Sequence, residues 1–97
     1  MLTFSRNDGE SIIFHHGGKS VVLRCRIDDS LRLYYGYGNK LVLRLDDAGE
    51  FNCIKVLGQP VTVLLKKYRG YDTVQISIEA PRDVVIHRDD FFQGAQS

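Results

Sequence analysis

The sequence has little that would mark it for a membrane, a metal or a disulfide framework. Its apolar residues never run long enough to span a bilayer. Nothing at Met1 reads as a secretory signal, so the expectation is a soluble protein working in the cytoplasm. There are two cysteines, Cys25 and Cys53, in apolar strand-like runs without metal-ligand spacing. Both read as small buried hydrophobes, and a reducing compartment disfavours a disulfide between them. The net charge is +1, so any nucleic-acid binding must come from local patches and shaped contacts. A sustained 3.6-residue period is missing, which argues against long helices. Convergent catalytic groups are missing too: no Ser–His–acid set, no paired carboxylates, no glycine-rich phosphate loop. The chain does not read as an enzyme, and no cofactor or metal is implied. His15 and His16 stand together in a loop without a third ligand nearby.

What is present is a succession of short extended segments between turn residues. Ninety-seven residues allow one domain, 1–97. A chain of this size buries roughly 60–70% of its unfolded surface, enough for a core without staples. Residues 2–6 and 11–14 flank Asp8-Gly9, a strong two-residue hairpin signal, and are predicted to pair as the first hairpin. Further strands are predicted over 20–27, 31–35, 40–45 and 51–57, the last ended by Gly58-Gln59-Pro60. Segments 61–67 and 73–78 are predicted to form a hairpin around the tip 68–72, and 84–88 is the last strand. The regular spacing predicts an all-β fold, a small sheet or barrel of short antiparallel strands. At most one helical turn follows, over 89–93, stopped by Gly94.

Residues 79–90, EAPRDVVIHRDD, hold the rest together. Ala80-Pro81 stops the preceding strand, because proline has no N–H to give a ladder. Side chains alternate along the strand that follows, so Val84, Ile86 and Arg88 share one face and Val85 and His87 the other. A guanidinium ends an apolar row. The first strand repeats the pattern, with Leu2, Phe4 and Arg6 on one face.

These two ends together resemble the carbon storage regulator family, the small RNA-binding translational regulators called CsrA or RsmA. The resemblance rests on Met1-Leu2, Arg6, Gly9-Glu10 and Ile12-Ile13 at one end. At the other it rests on Ala80-Pro81, Val84, Ile86, His87-Arg88 and Asp89-Asp90, with 61–78 similar to the family's central hairpin. The family-like parts are 1–14 and 60–92; an inserted strand-like segment, 15–59, separates them. The chain departs from the family in that insert and in its short C-terminus.

The resemblance implies a homodimer in which the first strand of one subunit lies beside the last strand of the other. It implies binding to GGA in hairpin loops of messenger leaders and of small regulatory RNAs, and control of translation or messenger stability. Phe4, Ile86 and the backbone around Ala80-Pro81 are then the shelf for bases and base edges. Arg6 and Arg88 are the arginines for phosphate and guanine, since a planar fork suits both. Asn7 stands where the family commonly has a second basic residue. His87 points off the arginine face and reads as packing. Lys66, Lys67 and Arg69 read as solvated charges at the hairpin tip, and Lys40, on the insert, lies outside the site. The alternative function is a protein-interaction module, or a decoy that pairs with such a regulator through its strand edges.

The insert also carries a weak internal similarity. Residues 40–56 can be laid on 73–89 without gaps, so that Leu41, Leu43, Leu45, Phe51 and Cys53 fall on Val74, Ile76, Ile78, Val84 and Ile86. Any two alternating strand pairs align about this well, which is the simpler explanation. A partial duplication is the other, and it predicts a monomer in which strands within 20–56 take the place of those of a second subunit.

Overall fold

Alternating apolar and polar residues produce strands throughout, and the computed structural model contains nine of them among the described residues: 1–45, 49–68 and 73–88, the side chains of 67 and 68 excepted. In order they are β1 (Leu2–Asn7), β2 (Ser11–His16), β3 (Lys19–Ile27), β4 (Ser30–Tyr35), β5 (Asn39–Arg44), β6 (Phe51–Val56), β7 (Gln59–Tyr68), β8 (Thr73–Glu79) and β9 (Val85–Arg88). All pairing is antiparallel, in two sheets. One sheet has the order β1-β8-β7-β6, the other β5-β4-β3-β2-β9. The fold is all-β, as the turn spacing predicts. Among the described residues no helix is long and apolar enough to cross a membrane. The predicted helical turn over 89–93 lies outside the described residues.

The two sheets face each other across one core. Ile12, Phe14, Leu23, Leu31 and Leu33 from the five-stranded sheet meet Val61, Val63, Leu65, Val74 and Ile76 from the four-stranded sheet, all buried. Each such side chain stabilises the fold by about 1.5–3 kcal/mol relative to exposure, so this interior outweighs any single surface contact. The inserted segment supplies β3 to β6, half the walls of that interior.

The first hairpin does not form. β1 pairs with β8, Phe4 opposite Ile76, whereas β2 pairs with β3 and β9. Asp8-Gly9 is a corner between sheets. The turn itself is present: the Glu10 N–H donates to the Asn7 carbonyl at 3.0 Å, and Gly9 has φ 86°. Its outer partners come from β3. The Gly9 N–H donates to the Cys25 carbonyl at 2.8 Å, and the Asp8 carboxylate accepts the Ile27 N–H at 2.8 Å. Tertiary partners on both sides outweighed a local turn preference.

Three further readings need correction. Gln59 and Pro60 belong to β7; the turn is Leu57-Gly58, with φ 54° and 76°, the left-handed pair a tight hairpin needs. Pro60 faces only Lys55 of β6, since pairing with β8 begins at Thr62, so its missing N–H breaks no β8 ladder. Cys53 is exposed while Cys25 is buried, and the two are not joined in a disulfide. On β6 it is Ile54 and Val56 that point inward, leaving Phe51 and Cys53 outside. The internal similarity therefore holds for Leu41, Leu43 and Leu45, which face the core as Val74, Ile76 and Ile78 do, and falls out of phase at Phe51 and Cys53, whose counterparts Val84 and Ile86 turn toward the core. Nor do strands within 20–56 partner the chain ends: β1 takes β8, and β9 takes β2.

Candidate nucleic-acid interface

β1 and β9 are edge strands of opposite sheets, and one chain brings them together. Between them lies an open, mostly apolar crevice of about 240 Å³, lined by Leu2, Thr3, Phe4, Ile86, His87 and Arg88. Alternation explains the lining. Phe4 and Ile86 sit on the inward faces of their strands, half-buried and packed against the core. At the sheet edges they reach only part of that cover, so an apolar surface remains open. Arg88 follows Ile86 on the same face and is exposed.

A second crevice of about 230 Å³ adjoins the first through Leu2 and Ile86 and includes Ala80, Pro81 and Arg82. β8 ends at Glu79, the turn is closed by the Val84 N–H donating to the Pro81 carbonyl at 3.0 Å, and β9 follows. Phe4, Ile86, Arg88, Ala80 and Pro81 thus line one continuous surface. Edge strands flank it, and an edge presents backbone N–H and C=O groups that the sheet ladder does not use.

Arg6 and Asn7 lie elsewhere. Arg6 is only 4% exposed. Its Nε donates to the Ser5 carbonyl at 2.7 Å and its Nη1 to the Ser11 carbonyl at 3.2 Å, beneath the corner between sheets. A buried guanidinium costs several kcal/mol unless its donors are satisfied, and two carbonyls at this corner take two of them. Asn7 is exposed at the far end of β1, where its Oδ1 accepts from the Thr73 hydroxyl at 2.6 Å and its N–H donates to the Glu10 carboxylate. Neither residue lines the crevices. Lys66 is exposed on β7; Arg69 falls outside the described residues.

Several lining residues escape the sequence reading, among them Leu2, Thr3, His87 and Arg82. Parity does put Leu2 in the row of Phe4. Thr3 carries no signal, and Arg82 enters beside Pro81 in the turn between β8 and β9. His87 stands on the outer face of its sheet, its ring edge-on to His15 with centroids 5.2 Å apart, and it also borders the crevice. His15 bonds Ser20 at 2.6 Å, and His16 lies 3.4 Å from Asp83, so the adjacent histidines face different partners.

Neither a protein-family model, a curated protein nor a solved structure matches this chain.

Proposed function

We propose that the protein is an RNA-binding regulator of the carbon storage regulator kind, reading GGA in exposed hairpin loops through the β1–β9 crevice. The observation that carries this reading is the convergence of Phe4, Ile86 and Arg88 on one open apolar surface between two strand edges. Single-stranded bases need such a shelf, donors and acceptors at its rim, and a cation placed for guanine or phosphate. Phe4 and Ile86 form the shelf. The edges of β1 and β9 offer the rim, and the Arg88 guanidinium offers a planar fork that matches the O6 and N7 acceptors of guanine. Ala80, Pro81 and Arg82 extend the surface for a neighbouring nucleotide. Messenger leaders and small regulatory RNAs with GGA loops are the partners, and the cytoplasm is the place of action.

The family's arrangement takes these two strands from different subunits, whereas one chain supplies both here. We therefore propose that a single chain carries a complete site. The test is a titration of a GGA hairpin against the same hairpin changed to CCA. A clear preference for GGA supports the reading. Equal affinity sinks it, and a protein-interaction module using the same edges would then lead.

A further inference from the structure

The inserted strands carry a feature that the crevice does not use. Alternation along β3, β4 and β5 turns Leu23, Cys25, Leu31, Leu33 and Leu43 inward. The residues between them go outward, and they are mostly cations. Register then sets them in rows across the sheet. Arg24 lies opposite Tyr34, which lies opposite Lys40; Arg26 lies opposite Arg32, which lies opposite Val42. Successive rows are about 6.7 Å apart along a strand. Ser30 and Arg44 make the next row. A hollow of about 380 Å³ opens among Arg24, Arg26, Asp28, Arg32 and Tyr34.

Such a face is not what stability alone selects. Like charges directly opposite on antiparallel strands destabilise the sheet, and Arg26 faces Arg32. Carboxylates answer at one end only. Arg26 Nε lies 3.3 Å from Asp8 Oδ1, and Arg32 pairs with Asp28. The Tyr34 hydroxyl, and then Asp28, hold the Arg32 guanidinium above its ordinary value. At the other end Arg24 and Lys40 are exposed on either side of Tyr34 and form no ion pair among the described residues. Tyr34 is itself 37% exposed. The chain as a whole carries only +1, so this is segregation of charge, not an excess of it.

We propose that the outer face of β3, β4 and β5 is a second nucleic-acid surface, on which Arg24 and Lys40 take phosphates of a single-stranded RNA and Tyr34 stacks a base. Cations in rows suit a polyanion of repeating charge. The aromatic ring between them favours RNA over an acidic protein segment, because every base offers a face to stack and a carboxylate does not. Arg24 sits two strands from β9 in the same sheet. The proposal stands independently of the crevice, since the rows are complete without β1 or β9.

The experiment uses the whole chain and a 12-nucleotide oligo(U), which has no GGA, with binding followed by fluorescence anisotropy over a series of salt concentrations. Parent protein binds with a salt-dependent affinity. The Arg24→Ala, Lys40→Ala double variant binds at least tenfold more weakly, and its log–log salt slope is shallower by about 1.4, the loss of two phosphate contacts on a single strand. Tyr34→Leu loses about tenfold while Tyr34→Phe stays near the parent. Lys55→Ala, on the other sheet, binds as the parent does. All positions are surface-facing, and circular dichroism checks the fold of each variant. No oligo(U) binding by the parent at low salt overturns the proposal. So does a double variant with unchanged affinity and slope. Polyglutamate that displaces the oligonucleotide equally well, with Tyr34→Leu unchanged, overturns it in favour of an acidic partner. The GGA-against-CCA preference, measured separately on a hairpin without single-stranded tails, reports on the crevice alone. Its loss with oligo(U) binding intact removes the crevice reading and leaves this one standing.

Discussion

The Arg6 guanidinium donates to the Ser11 carbonyl at 3.2 Å, across the corner where the chain leaves one sheet for the other. A residue that parity places at the end of an apolar row, and to which the family resemblance gives contact with RNA, is thereby used to join two strands that do not pair. The contact is local in the chain, yet it links the outer edge of the four-stranded sheet to an interior strand of the five-stranded one.

Arg6→Ala should therefore be a stability variant. It removes charge-assisted hydrogen bonds to carbonyls inside the fold, each worth about 1.5–3 kcal/mol. A loss of at least that size is expected in urea denaturation. Arg6→Lys should recover only part of it, because an ammonium lacks the planar fork. An Arg6→Ala protein as stable as the parent would show that the corner does not depend on this side chain.

Arg88→Ala acts on binding. Arg88 is exposed at the rim of the crevice, and a specific arginine contact to guanine carries about 1–3 kcal/mol. The affinity for a GGA hairpin should fall correspondingly, with circular dichroism confirming that the variant is folded. A folded variant that binds the hairpin as tightly as the parent would remove Arg88 from the site.

Assembly is the third expectation. One chain supplies β1 and β9 to the same crevice, so the site needs no second subunit. Sedimentation at micromolar concentration should give a species of 11.0 kDa. A stable dimer would return the family's exchange of strands between subunits to first place.

Asp28 provides a pH signature for the basic face. The Asp29 side chain, then the Ser30 N–H, and more weakly the Arg32 guanidinium, hold its carboxyl below the ordinary carboxylate value. A lowered folded value means that its contribution to stability is complete above the unfolded value, near 3.9, and is lost as pH falls through the folded one. In an NMR titration Asp28 should protonate below a free aspartate. Arg32→Ala should move that midpoint upward. An unmoved midpoint would show that the two side chains are not coupled in solution.

The sequence by itself determined the strands, their faces and most of the turns. Strand periodicity is a local property: Leu23, Cys25 and Ile27 point inward because the residues between them are polar, whatever the sheet order. The same logic made Phe4 and Ile86 inward residues and left Arg88 at the end of its row. Pairing is not local. Asp8-Gly9 has hairpin chemistry, yet β1 went to β8 because the two sheets had to close over one core. Cys53 reads as apolar beside Ile54, and only the facing of β6 decided that Ile54 is inside. The fate of the two arginines was decided in the same way. Each ends an apolar row, but Arg6 falls beneath a corner rich in carbonyls, while Arg88 falls at an open edge. Burial of a charge depends on which groups the fold brings over it, and those groups come from parts of the chain that no neighbouring residue specifies.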